Sequence, residues 1–206
     1  MASLLSAACP PNDPPAPTAC TGIVLAAGAG SRYGKPKALA ADGAWLRAAI
    51  AALREGGCDP VIVLLGATGP DPATVALPPG TAWHWVADWA VGLSATVRAG
   101  LRAAAAAGTR YVAFLPVDTP DIGAPVVARV LAAARASESG LARGVFSDTP
   151  GHPAVIENKH WDAIFRELEG DAGAGSYLGG RQDMVCVTCD DLATGADRDF
   201  PEVGAR

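Results

Sequence analysis

Lysine is scarce in this chain, standing only at positions 35, 37 and 159, and two of the three fall beside Arg32 in the stretch GIVLAAGAGSRYGKPKAL, residues 22–39. Small residues and glycines follow an apolar run there, so backbone N–H groups can approach an oxyanion closely while the cations neutralise it. Arg32 offers a planar fork for two phosphate oxygens and Lys37 a compact point charge, with Lys35 as a further contributor. That is the chemistry of holding a polyphosphate. The competing reading is a strand-to-helix turn that uses glycine for its conformation and carries solvated cations, and the loop alone leaves both open.

Two familiar phosphate motifs do not fit. Gly28, Gly30 and Gly34 leave three residues before the last glycine, where the dinucleotide fingerprint G-x-G-x-x-G needs two, and the run VIVLLG ends in glycine instead of an acidic residue. A nicotinamide-dependent oxidoreductase is therefore disfavoured. The P-loop needs four residues between its glycines and a Ser or Thr after the lysine, whereas five separate Gly28 from Gly34 and Pro36 follows Lys35.

A polyphosphate site also needs a carboxylate for a hard dication. Asp118 closes the run RYVAFLPVD, and Thr119 and Pro120 after it stop a strand and leave the carboxylate beyond its end. Asp171, in EGDAGAG, is the second candidate, and a turn-forming aspartate is the alternative for each. Ser94, near a helix start, is either a donor to a ligand or an N-cap. His152, between Gly151 and Pro153, is a candidate for a ligand pocket or a structural histidine, while His84 and His160 read as structural. Trp83, Trp85 and Trp89 crowd one short run and read as core or rim packing. Cys186 and Cys189 form a C-x-x-C without a second pair or a nearby histidine, so MVCVTC reads as strand, and five cysteines, an odd number, argue against a disulfide framework.

The elements that must position these residues alternate along the chain. Strand-like runs at 21–27, 60–66, 81–88 and 110–118 are separated by helical stretches at 45–57 and 92–108, with a further helix at 124–137. LARGVFS and HPAVIE follow as strands, KHWDAIFRELEG as an amphipathic helix, and DMVCVTC as a last strand. This is the pattern of an α/β fold around a mostly parallel sheet, in which ligands bind beyond the carboxyl ends of the strands. The glycine loop and Asp118 share one rim if their strands are parallel.

A chain of 206 residues, half of them hydrophobic, is expected to bury roughly 70% of its unfolded surface in one core. A net charge of −5 argues against a nucleic-acid binder, so an anion site must be local. The first 18 residues are proline-rich without helical or strand period and are expected to form a disordered tail, leaving one domain over 19–206. They lack a positive n-region, and no apolar run reaches the ~18 residues of a membrane span, so a cytoplasmic protein is expected with neither membrane nor nucleic acid as partner.

LAAGAGSRYGKPKAL resembles the signature L-A-A-G-x-G/S-x-R-x-G-x-x-K of the MobA-like nucleotidyltransferase family: Leu25, Ala26, Ala27, Gly28, Gly30, Arg32, Gly34 and Lys37 all match, with Tyr33 where Met or Phe is usual. Further segments follow in the family's order. WAVGLSATVRAGL is similar to G-x-S-x-S-x-R-x-G-L with Thr96 for the second serine, VDTPDI to a D-x-P element, GHPAVI to G-H-P-V, and GDAGAGSYL to G-D-x-G-A-R. Gly175 stands where that last element carries arginine, and of a terminal D-I-D-T-P-E-D only Asp191, Thr194 and Asp197 persist, with Ala193 for an aspartate.

The resemblance implies a Rossmann-like three-layer sandwich and transfer of a nucleotide from an NTP to a phosphorylated acceptor, with Mg2+ as cofactor. It implies Arg32, Lys37 and Asp118 as catalytic, and Leu25 through Gly28, Gly30, Gly92 and Ser94 at the nucleotide. Asp118 and Asp171 are implied as metal ligands, and His152 with Asp171 at the acceptor. The Ala26–Ala27 and Ala38–Leu39 pairs look like the cytidylyl branch, which implies CTP over GTP and molybdopterin as acceptor, with a molybdoenzyme as the client. Methylerythritol phosphate and phospholactate are the alternative acceptors, and a noncatalytic accessory protein is the alternative role.

Overall fold

A computed structural model describes residues 19–200; the proline-rich stretch 1–18 expected to be disordered lies outside the described residues. One seven-stranded sheet runs β3-β2-β1-β4-β6-β5-β7. The strands are β1 (Cys20–Ala26), β2 (Val61–Leu65), β3 (Ala82–Trp85), β4 (Tyr111–Pro116), β5 (Leu141–Phe146), β6 (Thr149–Glu157) and β7 (Val185–Thr188). β1 pairs parallel with β2 and β4, and β3 with β2, while β6 runs antiparallel between β4 and β5. Parallel strands flanked by helices on both faces read as continuous apolar runs, as VIVLL and YVAFLP do.

Helices α1 (Ala44–Glu55) and α3 (Ala124–Ala136) cover one face, burying Leu46, Ile50 and Leu53 with Val126, Val127, Val130 and Leu131. On the other lie α2 (Leu93–Ala106), α4 (Trp161–Glu167) and α5 (Gly175–Gly179), whose Val97, Leu101, Trp161, Ile164 and Leu178 pack with Ile23, Phe114 and Ile156 of the sheet. The expected three-layer α/β architecture is thus realised. All described cysteines are free thiols, and Cys186 lies within β7 as expected of a strand.

Three expectations change. The amphipathic helix at 159–170 begins as a 3-10 turn, Asn158–His160, continues as α4, and stops short because Leu168 leaves it in an extended conformation. The short helix α5 forms inside the glycine-rich run that gave no helical period. The third strand is no core element: all four residues of β3 are exposed, with Trp83 and Trp85 at 39% and 37%, because β3 is the sheet's edge.

The rim follows from register. Leu25 pairs with Pro116, so β1 and β4 end level, and the Val117 N–H donates to the Leu25 carbonyl at 3.1 Å. Both chains leave the sheet side by side.

Candidate active site

The loop after β1 folds back on itself at Gly30. Its φ is +63°, and a Cβ there would lie 2.0 Å from the Lys35 carbonyl oxygen, so only glycine fits. The Gly34 N–H then donates to the Gly30 carbonyl at 2.8 Å. Pro36 precedes a 3-10 segment, Lys37–Gly43, whose first residue is thereby held against the end of β4.

There Lys37 Nζ lies 2.7 Å from Asp118 Oδ2 and 2.7 Å from Asp199 Oδ1. Arg32 Nη1 reaches the other oxygen of Asp199, also at 2.7 Å. Desolvation works against the Lys37 ammonium, but the hydrogen bonds to Asp118 and Asp199 outweigh it and hold its pKa above the ordinary lysine value. Lys37 in turn draws the Asp199 carboxyl below the usual carboxylate range. Asp197 shifts the other way: desolvation, then repulsion from Asp118 and Asp199, push its carboxyl up.

The segment carrying Asp197 and Asp199 is tied down at two places. The Arg198 N–H donates to the Asp118 carbonyl at 2.9 Å, and Asp121 Oδ2 accepts from Thr194 through its N–H at 2.7 Å and its hydroxyl at 2.6 Å.

These groups border a cavity of about 960 Å³. Leu25, Ala26, Ala27, Gly28, Gly30, Arg32, Lys37, Gly92, Asp118, His152 and Asp171 all line it. Ser94 does not. It is buried behind the wall as the second residue of α2, and its N–H donates to the Gly170 carbonyl at 3.0 Å; the neighbouring motif position, Thr96, reaches the cavity instead. Gly92 is the residue before that helix, and a Cβ there would meet Asp171 Oδ1 at 2.6 Å, so the loop bearing Asp171 docks against the start of α2. Lys35 is exposed and does not line the cavity.

His152 stands on the wall with Nδ1 buried and unpartnered. Desolvation, with Arg143 nearby, lowers its pKa to about 4. His160, by contrast, is the structural residue expected: Nδ1 lies 2.8 Å from the Tyr177 hydroxyl and Nε2 2.7 Å from the Ser139 carbonyl. His84 is exposed on β3, and Trp89 lines the cavity.

Asp197, Asp199 and Arg143 also line the cavity and were not among the expected site residues. Asp197 belongs to the degenerate terminal element, where Gly195 and Ala196 blur the pattern; Asp199 carries no motif. Arg143 had a weaker signal, a charge inside the otherwise apolar LARGVF.

Among the described residues no group of three or more His, Cys, Asp or Glu side chains forms a ready metal cage. A hard dication shared with phosphates needs only one or two carboxylates, and Asp118 and Asp197, all-oxygen donors whose mutual repulsion a cation would relieve, fit it. Asp171, the second ligand expected from sequence, faces the same cavity.

The model of the MobA-like NTP transferase domain matches residues 22–185. The nicotine blue oxidoreductase of Paenarthrobacter nicotinovorans is 33% identical over 193 residues, 88% of this chain and 93% of that one. Among solved structures, the homologue of Mycobacterium tuberculosis Rv0371c from Mycobacterium sp. strain JC1 superposes with a TM-score of 0.75 at 27% identity, covering 89% of this chain and 91% of that one. Rv0371c of M. tuberculosis in complex with manganese superposes at 0.64 with 25% identity, over 83% of this chain and 88% of that one.

Proposed function

This chain belongs to the MobA-like NTP transferase family, and from that premise we propose that it moves a nucleoside monophosphate from CTP, in preference to GTP, to a phosphorylated small molecule, molybdopterin first, releasing pyrophosphate. One observation carries the reading: Lys37 and Arg32 of the glycine loop and Asp118, just beyond the end of β4, meet in a single charged cluster on the cavity rim. The Asp199 carboxylate gripped by both cations marks a place where anionic oxygens are favoured.

Attacker and target are both anions in this reaction, so the protein's work is alignment and neutralisation. An acceptor phosphate oxygen attacks the α-phosphorus in line, the bond from that phosphorus to the bridging oxygen breaks, and the electron pair leaves with pyrophosphate. Arg32 and Lys37 hold the β and γ phosphates and offset the charge that collects there, displacing Asp199 from their N–H groups. The small side chains of Ala26, Ala27 and Gly28 leave the wall open to the nucleotide. Asp118, with Asp197, would hold a hard dication, Mg2+, which supplies neutralisation of the phosphates when bound. The manganese complex of Rv0371c supports a divalent ion in this fold. Asp171 and His152 stand on the wall assigned to the acceptor. The Ala26–Ala27 and Ala38–Leu39 pairs support CTP.

The test is pyrophosphate release from CTP or GTP with Mg2+ and a panel of molybdopterin, methylerythritol phosphate and phospholactate. CTP with molybdopterin is expected to give the product; no release with any pair removes the reading.

One observation favours a second reading, since the 33% identical relative is named an oxidoreductase. A fluorescence titration with NADH separates the two: saturable binding supports the oxidoreductase, and none is expected, given the glycine spacing after β1.

A further inference from the structure

Register places one charged residue in an apolar row. Phe114 of β4 pairs with Ala154 of β6, Ala154 with Arg143 of β5, and Arg143 with Cys186 of β7. Paired residues share a face of the sheet, and Phe114, Ala154 and Arg143 all line the cavity under α2 and α5. His152, on β6 where its pairing with β5 shifts register, lines the same cavity.

Arg143 is half-buried there without a carboxylate. Its one hydrogen bond among the described residues runs from Nη2 to the Gly151 carbonyl at 3.3 Å, and Nε is buried with no partner. Nδ1 of His152 likewise has no hydrogen-bond partner, although the ring stands beside the Phe114 carbonyl. Buried polar atoms are nearly always paired, and a desolvated guanidinium without a counter-ion is costlier still. Two such orphans on one wall are what remains when the group that satisfies both belongs to a ligand. The alternative, a rim arginine solvated at the sheet's far side, leaves the buried Nε unexplained.

We propose that Arg143 and His152 form an oxyanion subsite on the sheet floor of the cavity that binds a phosphate or carboxylate group of the acceptor. The subsite rests on the nucleotidyl-transfer reading for the word acceptor, and its anion chemistry stands apart from that reading. β6 and β5 lie one and two strands beyond β4, about 5 and 10 Å across the sheet, so it is set off from the loop that holds the triphosphate. Gly175, where the family signature carries arginine, has nothing within 4 Å of its Cβ position, and Arg143 supplies a cation to the same cavity from the opposite layer.

The experiment titrates inorganic phosphate and acetate calorimetrically into the full chain carrying Lys37→Met, which removes one of the loop's two cavity-lining cations, and into the same chain with Arg143→Met or Arg143→Lys added. One anion is expected to bind the Lys37→Met chain, and which of the two does so tells a phosphate site from a carboxylate site. Arg143→Met is expected to weaken it by about tenfold or more, the effect of one charge-assisted contact, and Arg143→Lys to restore part of it. Binding indifferent to Arg143, or no binding of either anion, overturns the subsite. CTP with Mg2+ is titrated in parallel into the wild-type and Arg143→Met chains. If CTP binds neither while anion binding still needs Arg143, the nucleotide reading fails and the subsite stands; if CTP binds both while anions ignore Arg143, the reverse holds.

Discussion

Lys37 is the hinge of the site's electrostatics: one ammonium satisfies two carboxylates from segments 81 and 162 residues away. Asp199 is held low by it, whereas Asp197 is left with the repulsion. His152 gives these environments a measurable pH dependence. Its folded pKa near 4 lies below the ordinary 6.5, so the unfolded chain binds more protons between those values and stability must fall as pH drops from about 6.5 toward 4. The effect is on the order of 3 kcal/mol at its limit. Chemical denaturation of wild type and His152→Asn across that range is expected to show a shallower loss in the variant; parallel curves would contradict the burial argued for this ring. Arg32, Lys37 and Asp118 were legible in sequence because each sits in a short motif that chemistry constrains. Asp199 was not, since its partners lie across the fold and nothing adjacent to it marks a site.

Two elements carry the geometry. The loop between β1 and the 3-10 segment at Lys37 depends on Gly30, and Gly30→Ala places a methyl against the Lys35 carbonyl in a left-handed conformation. A loss of about 2 kcal/mol or more is expected by denaturant titration, together with loss of CTP binding, since the turn that presents Arg32 and Lys37 must reopen. A variant as stable as wild type would show that the loop does not need this fold. Helix α2 carries the second device. Arg98, the arginine of the G-x-S-x-S-x-R motif, does not line the cavity and donates from Nη2 to the Leu168 carbonyl at 2.9 Å, tying the C-terminus of α4 to α2 just ahead of the Asp171 loop. Arg98→Ala is expected to cost about 1–2 kcal/mol and to raise amide exchange across 168–174, with the strands unchanged. Unaltered exchange there would return Arg98 to the surface. The sequence showed the motif but not this role, because a helix start and an arginine one turn on look alike whether the target is phosphate or carbonyl. It showed helix α2 and strands β1, β2 and β4 to within about two residues, through period and glycine stops, overran β3, and missed α5, whose five residues are too short to display a period.

Across the chain as a whole, the fold's logic is the level ending of β1 and β4. Parallel pairing brings a cation-bearing loop and an acidic strand end to one rim, and the family resemblance in five ordered segments made that arrangement legible before any coordinates. The closing of the rim by residues 194–199 was not legible, since its ties, Arg198 N–H to the Asp118 carbonyl, Thr194 to Asp121 and Asp199 to Arg32 and Lys37, join residues far apart in the chain. No described helix is long and apolar enough to cross a membrane. With a net charge of −5 spread over the chain, the proposed triphosphate site has to draw its affinity from the few cations gathered at this rim, and a ligand that binds only the folded state must raise its melting temperature. The most direct measurement is therefore the melting temperature with CTP and Mg2+ for wild type, Lys37→Met and Asp118→Asn. At about a hundredfold excess over the dissociation constant, wild type should gain roughly 2.7 kcal/mol, a rise of roughly 5–10 °C, with a smaller rise for GTP and almost none in either variant. An unmoved wild type, or an equal rise in Lys37→Met, would contradict a triphosphate site built on Arg32, Lys37 and Asp118.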